Sequence, residues 1–525
     1  MGTTFCKDVD GNLVTDIQTV LGIWREHFTA LLVPEGSEDD DDLEEILEDH
    51  IDCPPPTRDE VRTAIARLKN GKAAGADGLQ AELFKAGGDK LVDGMHQLIS
   101  NVWRGEHMPD DWALSVLCPI FKKGDPSVCS NYRGISLLPI AYRILSSIIC
   151  ERLRPYMAAS IGPYQCGFRP GKSTIDQIFT LRQILEKTQE QQIDTYHLFV
   201  DYKATFDSPI RGKLYEAMAD LRIPSKLIRL CRMTLTDTKS AVKIGKNLRE
   251  PLTTRRGLRQ GDTLSCDLFN ILMEVIMRKA AVNLDKTISS KSHMLLAYAD
   301  DIDIIGRNLR EVTAVFSKIE KESQKMGLAV NEDKTKLMVS SSRTSCRLDK
   351  RVNVDNRYNF EVVDNFIYLG SAVNKNNDVS LEIKRRIVLA NGCYLGLSKY
   401  FRDKALSKET KIMLYRSLIQ PVLLYGAEAW VMTQADESAL GVFERKLLRK
   451  IYGPVIVNGE YRRRMNHELY ELYCDIDIVK RIKISRLRWL GHVIRMEDNV
   501  PARKLFDDVF EGRRRPGRQK LRWKD

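Results

Sequence analysis

Two adjacent carboxylates, Asp300 and Asp301, lie between two short and mostly aliphatic runs, residues 295–297 and 302–305. These runs predict two strands joined by a tight turn, with Gly306 closing the second strand. Because successive strand residues point to opposite faces, the two side chains can act together only if the turn re-aims one of them. Paired oxygen ligands suit a divalent cation, but Asp-Asp is also ordinary turn chemistry. The pair alone therefore leaves a structural role open.

A third carboxylate, Asp201, ends another apolar run at residues 197–200, and Asp207 follows it. A carboxylate at one strand end and a carboxylate pair at a hairpin turn together predict a two-metal phosphoryl-transfer site. Neighbouring strands would supply the ligands of cations held about 3.5–4 Å apart. The combination of motifs indicates this chemistry, and neither motif does so by itself.

Basic residues that could hold phosphates come earlier in the chain. A strand predicted over residues 116–121 runs into Lys122 and Lys123, and Arg133 follows a turn-rich linker. A hairpin here would offer a phosphate both point charges and a bidentate fork, although two ordinary surface cations are the alternative. Residues 256–265 form a Gly-rich turn that opens a predicted helix, whose N-terminus favours an anion.

In this order the motifs resemble those of the reverse transcriptases of non-LTR, LINE-type retrotransposons. The resemblance is greatest to RTE/Jockey-like elements and extends over about residues 11–525. The matching stretches are residues 200–207, 259–270, 298–301, 327–336 and 366–370. The resemblance implies an α+β right-hand polymerase with fingers, a palm whose antiparallel sheet is backed by helices, a helical thumb and a basic C-terminal tail.

The resemblance also implies boundaries for these parts. They are an N-terminal helix and acidic linker at 1–50, fingers with an N-terminal extension at 51–190, the palm at 191–375, the thumb at 376–455 and the nucleic-acid-binding tail at 456–525. The family's upstream endonuclease domain is missing from this sequence, so we expect a fragment or a truncated copy of an element.

By resemblance, Asp201, Asp300 and Asp301 would be the catalytic residues and would bind two Mg²⁺ ions, for which Mn²⁺ could substitute. The residues expected to bind the incoming nucleotide are Lys122, Lys123, Arg133, Phe206, Gln260, Gly261 and Lys334. Phe206 would exclude the 2′-hydroxyl of ribonucleotides, and Lys334 would assist the leaving pyrophosphate. An RNA template, a DNA primer and dNTPs are the implied partners.

Two positions depart from the family pattern. Thr205 stands where Ala is usual, and Asp267 stands where an apolar residue is usual at the start of a buried helix. A carboxylate left unpaired in a core would cost several kcal/mol. These changes keep a second hypothesis open, a catalytically impaired RNA-binding relic of an inserted element. The intact aspartates favour the first, an RNA-directed DNA polymerase.

Positive charge is concentrated near the C-terminus. The net charge is +11, and residues 441–525 hold 22 Lys and Arg against 12 Asp and Glu. A basic segment on a nearly neutral body predicts an anionic polymer as partner, and Trp489 and Trp523 suit stacking on bases. His492 fits no metal-ligand spacing and is expected to be structural or to contact RNA. A solvated basic end is the alternative.

The eleven cysteines are scattered without a Cys-x-x-Cys pair. This predicts free thiols in a reducing, intracellular compartment, nucleus or cytoplasm, and indicates no zinc site. The sequence has no signal peptide and no apolar run of about 18 residues, so we expect no membrane span.

Overall fold

A computed structural model of the protein describes residues 4–33, 53–283, 288–290, 292–341, 348–514 and 521–525. The acidic stretch predicted as a linker, residues 35–49, lies outside these ranges. The strands are β1 (Cys6–Lys7), β2 (Leu13–Val14), β3 (Leu114–Phe121), β4 (Tyr132–Leu137), β5 (Thr195–Val200), β6 (Tyr202–Lys203), β7 (Lys239–Ile244), β8 (Asn247–Leu248), β9 (Leu252–Thr253), β10 (Met294–Tyr298), β11 (Asp301–Gly306), β12 (Ala329–Val330), β13 (Lys336–Ser340), β14 (Arg351–Val354), β15 (Tyr358–Val362), β16 (Asn365–Tyr368), β17 (Ser371–Asn374), β18 (Val455–Val457) and β19 (Glu460–Arg462).

The helices are α1 (Ile17–Leu32), α2 (Arg58–Arg67), α3 (Ala81–Ala86), α4 (Gly88–Gly105), α5 (Asp110–Ala113), α6 (Ile140–Ser160), α7 (Thr174–Glu190), α8 (Arg211–Asp220), α9 (Ser225–Leu235), α10 (Thr263–Lys279), α11 (Leu309–Lys325), α12 (Val379–Gly396), α13 (Ser398–Arg402), α14 (Lys408–Leu414), α15 (Gln420–Leu424), α16 (Gln434–Tyr452), α17 (Asn466–Tyr473), α18 (Ile478–Ile494) and α19 (Pro501–Asp507). A π-helical turn, Tyr415–Ile419, joins α14 to α15. Helices and strands are thus interspersed in an α+β fold.

The chain forms two compact units, and each is assembled from three stretches of sequence. Unit 1 consists of residues 1–162, 202–282 and 317–331, and unit 2 consists of residues 163–201, 283–316 and 332–525. The contiguous fingers, palm and thumb expected from the sequence remain a prediction.

Unit 1 is built on a sheet with strand order β4–β3–β7–β8, and β9 also pairs with β7. Helix α1 packs on this sheet through Trp24 and Phe28, which join Leu117, Tyr132 and Val242 in one core. Strands β3 and β4 form an antiparallel hairpin, which confirms the hairpin predicted from the basic residues that flank it.

Unit 2 is built on a six-stranded sheet with strand order β10–β11–β5–β13–β15–β14. Its pairs are antiparallel except for β13 with β15. Strand β5 is central, and Phe199 on this strand packs in one core with Leu181 and Leu185 of α7 and with Leu296 of β10. The apolar contacts among α7, β5 and β10 therefore stabilise the strands next to the candidate catalytic residues.

Several described residues of the stretch predicted as a basic tail, 456–525, lie in the apolar cores of unit 2. Leu469 of α17 and Ile478 and Ile482 of α18 join the apolar cluster of helices α12–α16. Farther on, the backbone N of Trp523 donates to Glu186 Oε2 at 2.9 Å, and its indole Nε1 donates to Glu428 O at 2.7 Å. Trp523 is buried and its ring contacts that of Phe179, so the expectation that it stacks on bases is wrong. The boundary between thumb and tail stays a prediction.

Two general expectations concern membranes and cysteines. None of the helices in the described part of the chain is both long and apolar enough to cross a membrane. Ten cysteines lie in that part, and all are free thiols.

Asp267, the carboxylate expected to be costly in a core, lies on α10 with 9% of its surface exposed. Burial raises the pKa of Asp267 to about 6, and a hydrogen bond with the Cys150 thiol opposes that rise. The folded state therefore prefers the neutral acid, so ionisation destabilises the protein increasingly as the pH rises from about 4 to about 6, and by a constant amount above that.

Replacing this carboxylate should stabilise the protein in a pH-dependent manner. Asp267→Asn removes an ionisation penalty of about two pKa units, or about 3 kcal/mol, at pH 7.5 and almost none of it at pH 4. Urea unfolding at the two pH values measures the difference, with Asp111→Asn, an exposed acid, as the control. An equal effect of Asp267→Asn at both pH values would contradict this account.

Candidate active site

Three carboxylates predicted to act together lie at one end of the sheet of unit 2. Strands β10 and β11 form a hairpin in which Tyr298 pairs with Asp301, so the turn contains only Ala299 and Asp300. This confirms the predicted strands and tight turn. Strand β11 pairs with β5 in antiparallel fashion through Ile302 opposite Val200. Asp301, which precedes Ile302, and Asp201, which follows Val200, therefore lie at the same end of the sheet.

The environment of Asp201 includes a cation. Lys334 Nζ lies 3.0 Å from Asp201 Oδ2, and the two side chains are 52% and 29% exposed. The backbone N of Asp201 donates to Thr335 Oγ1 at 3.2 Å. Asp300 is half-buried and Asp301 is exposed, so solvent reaches all three carboxylates.

The donor chemistry of this sheet end fits a hard divalent cation. Carboxylate oxygens are the ligands Mg²⁺ prefers, and Asp201 already balances its charge with an ammonium group. Within the described ranges, His, Cys, Asp and Glu side chains do not gather in threes as a closed metal-ligand cluster. The metal role of Asp201, Asp300 and Asp301 stays a prediction.

A buried polar pair lies between the two central strands. His197 Nδ1 on β5 is 3.2 Å from Asp303 Oδ2 on β11, and His197 Nε2 is 3.1 Å from Thr195 Oγ1. Both His197 and Asp303 are fully buried, and burial raises the pKa of Asp303. The sequence analysis did not assign this pair, although a polar residue among the isoleucines of β11 was a visible signal.

Gln260 of the predicted nucleotide site lies in unit 1. Gln260 Nε2 donates to Asp207 Oδ2 at 3.0 Å, and Gln260 O accepts from Ser136 N on β4 at 2.7 Å. Gly261 has a φ of +112°, and a Cβ there would lie 2.9 Å from Ser136 O. Glycine is therefore required for this loop to lie against β4. Phe206 is half-buried, with its ring centroid 5.5 Å from that of Phe269.

The loop that carries Gln260 is anchored by residues to which the sequence analysis gave no role. The Asp262 carboxylate accepts hydrogen bonds from the hydroxyls of Tyr142 and Ser146 on α6. The Arg259 guanidinium lies 4.3 Å from the centre of the Tyr142 ring and donates to Thr234 O at 2.6 Å. The loop is thus held at both sides of Gln260.

The predicted phosphate-binding cations belong to the β3–β4 hairpin. Lys122 and Lys123 follow β3, Arg133 lies on β4, and all three side chains are exposed. Lys122 lies close enough to Asp207 to oppose the rise in its pKa. The predicted site residues therefore fall into two sets, one in each unit. The nucleotide-binding roles of the set in unit 1 stay predictions, as does that of Lys334.

Asp207 provides a pH-dependent test of the contact with Gln260. Burial raises the pKa of Asp207 to about 6, and only the ionised carboxylate is purely an acceptor for Gln260 Nε2. We expect nucleotide incorporation to fall as the pH drops below about 6, by about tenfold at pH 5, where about one carboxylate in ten is ionised. The measurement is kcat/KM for a dNTP across pH.

In Asp207→Asn the amide cannot titrate, so this acid limb should disappear. A limb near pH 6 that is identical in wild type and Asp207→Asn would show that another group is responsible.

Comparison with known proteins agrees with this arrangement of motifs. Residues 120–373 match the profile of the family described as reverse transcriptase (RNA-dependent DNA polymerase). The putative 115 kDa protein in type-1 retrotransposable element R1DM of Drosophila melanogaster is 25% identical over 445 residues, 83% of this chain and 41% of that protein. The RNA-directed DNA polymerase from mobile element jockey of the same species is 23% identical over 442 residues, 78% of this chain and 46% of that protein.

This chain thus spans less than half the length of these two relatives. Among solved structures, apo telomerase from Candida tropicalis is similar over 86% of this chain and 85% of that chain, at 13% identity and a TM-score of 0.41.

Proposed function

We propose that this chain is a reverse transcriptase of a non-LTR retrotransposon, an RNA-directed DNA polymerase that extends a primer 3′-hydroxyl on an RNA template. The observation that carries the proposal is the position of Asp201, Asp300 and Asp301 at one end of three neighbouring strands. In the right-hand arrangement we propose, the sheet of unit 2 forms the palm, α12–α16 the thumb and the β3–β4 hairpin part of the fingers.

The three carboxylates would hold two Mg²⁺ ions at the end of the sheet. Divalent cations held there would supply activation of a primer hydroxyl and neutralisation of the charge on leaving pyrophosphate. Lys334 balances the charge of Asp201, and its ammonium group is suited to protonate the pyrophosphate. The strands keep these groups in place, so little reorganisation is needed during the reaction.

The residues of unit 1 would select the nucleotide. Lys122, Lys123 and Arg133 supply positive charge for the triphosphate, with Arg133 able to make a bidentate contact. Gln260 is held by its backbone bond to β4 and by Asp207. Phe206 would meet the sugar where a ribonucleotide carries its 2′-hydroxyl.

Exposed cations on one helix of unit 2 supply a surface for RNA. Lys480 and Arg488 on α18, and Arg495 directly after it, are exposed, whereas Ile482 and Val493 of the same helix are buried. Contacts of these cations with phosphates would release counterions, so this part of the affinity should depend on salt. The apolar side of α18 stabilises the fold, and its basic side remains available to nucleic acid.

Primer extension on a poly(rA) template with an oligo(dT) primer tests the function directly. Asp300→Asn removes a metal ligand worth several kcal/mol of transition-state stabilisation, so extension should fall by at least about a thousandfold. RNA binding should change by less than about twofold, because the basic surface is unaltered. Asp349→Asn, which removes an exposed carboxylate of unit 2, is the matched control and should retain full activity.

Two results would contradict the proposal. Extension by Asp300→Asn at the wild-type rate would remove this residue from the site. RNA binding without extension by the wild-type protein, in Mg²⁺ or Mn²⁺, would instead favour the catalytically impaired relic.

Phe206 is tested by changing the sugar of the nucleotide. Phe206→Ala should raise the incorporation of rNTPs relative to dNTPs by about tenfold or more, since removal of a ring opens space worth one to a few kcal/mol of discrimination. Phe206→Tyr keeps the ring and should keep the discrimination. An unchanged ratio of kcat/KM values in Phe206→Ala would reject this residue as the gate.

A further inference from the structure

The turn that carries Asp300 has a backbone conformation that its sequence does not favour. Ala299, the first of the two turn residues, has a φ of +56°. This left-handed region is disfavoured for a residue with a Cβ, and two-residue hairpins with such a first residue usually have glycine there. Strained backbone persists only when its surroundings hold it, so other groups must maintain this turn.

The side chain of Gln165 contacts the strained residue at both of its backbone polar groups. Gln165 Oε1 accepts from Ala299 N at 2.8 Å, and Gln165 Nε2 donates to Ala299 O at 3.2 Å. The same Oε1 accepts from Gly167 N at 2.8 Å. Gln165 is 2% exposed, so these bonds form away from competing water.

The loop that carries Gln165 lies directly against the turn. A Cβ added at Gly167 would collide with the backbone N of Ala299, so only glycine permits this approach. Beside it, Ala297 N donates to Tyr164 O at 3.0 Å, and Cys166 N donates to Ala297 O at 2.9 Å. The side of β10 that faces away from β11 is thereby hydrogen-bonded to this loop next to the turn.

A second glutamine supports this loop from α7. Gln177 Nε2 donates to Tyr164 O at 2.7 Å and to Ala297 O at 2.9 Å. Gln177 is 1% exposed, and the core beneath α7 includes Leu296 of β10. The loop that carries Gln165 is therefore held in the interior by hydrogen bonds from a buried side chain of α7.

We propose that Gln165 is a positioning residue for the polymerase reaction: its amide holds the strained turn at Ala299 and so fixes the carboxylate of Asp300. The inference rests on the proposed function. It requires a neutral amide, because a glutamate would lose the donor to Ala299 O and would add negative charge beside Asp300. It also makes a specific claim, that glycine at position 299 would remove the need for Gln165.

Two variants and their combination test this claim. Gln165→Met keeps the volume and removes all three hydrogen bonds, so kcat for primer extension should fall by about tenfold or more while KM for the dNTP changes by less than about twofold. Ala299→Gly should have nearly wild-type activity. In the double variant Gln165→Met/Ala299→Gly, kcat should recover to within about threefold of wild type, because glycine adopts the turn without support.

Gln183→Met is the matched control, since Gln183 is an equally buried glutamine on α7, and its kcat should be unchanged. Failure of the glycine to rescue Gln165→Met would show that Gln165 acts on the fold in general and would overturn the proposal. Wild-type kcat in Gln165→Met would overturn it as well.

Hydrogen exchange separates this inference from the proposed function. The amide of residue 299 should exchange at least about tenfold faster in Gln165→Met than in wild type, with the rest of the sheet protected as before. Unchanged exchange would overturn the proposal that Gln165 holds the turn, whether or not the protein has polymerase activity. If exchange is faster in Gln165→Met but the wild-type protein does not extend primers, Gln165 holds the turn and the proposed polymerase function is rejected.

Discussion

The antiparallel register of β11 between β10 and β5 is the constraint on which the candidate active site depends. Ile302 lies opposite Val200 in one ladder, and Asp301 lies opposite Tyr298 in the other. A slip of one residue would send the side chains of β11 to opposite faces and would separate the carboxylates. Because β5 is the central strand and its side chains are mostly buried, such a slip would also expose apolar surface.

Buried contacts on β5 make this register specific. The pair His197 and Asp303 joins β5 to β11 in the interior, where a hydrogen bond lost by misregister could not be replaced by water. Phe199 stacks on Phe366 of β16 with ring centroids 4.1 Å apart. Polar and aromatic contacts thus select one alignment among those that apolar burial alone would allow.

Side chains of the candidate site in both units have partners that can only accept or only donate hydrogen bonds. Asp207 is an acceptor for the amide of Gln260, and the Asp262 carboxylate receives two hydroxyls beside the same loop. In unit 2 the ammonium group of Lys334 faces Asp201. An ionised carboxylate can only accept hydrogen bonds, and an ammonium group can only donate them. Each of these groups therefore determines which atom of the neighbouring side chain faces it.

The net charge of the C-terminal segment, residues 456–525, predicted its basic surface but not its buried apolar side. Its cations are numerous, but Ile478, Ile482 and Val493 recur on one side of α18 and are buried. Lys187 of α7 donates to three backbone carbonyls of this segment, between residues 505 and 508, and burial lowers its pKa to about 8. The segment is therefore amphipathic, with its apolar side in the core and its basic side at the surface.

Local patterns in the sequence determined much of the framework of this protein. Short apolar runs and turn residues were enough to predict the β3–β4 and β10–β11 hairpins. Thr57 with Glu60 gave the start of α2 its capping box. These features depend on residues close together in the chain, whose preferences are readable without knowledge of the fold.

Only the tertiary structure decided which distant groups meet. The bond between Asp207 and Gln260, the contact of His197 with Asp303, and the amide of Gln165 on Ala299 all join residues far apart in sequence. No local pattern predicts a positive φ at an alanine, because that conformation exists through the contacts that hold it. The sequence by itself determined which residue types could do the chemistry, and long-range packing and hydrogen bonding decided how they are held.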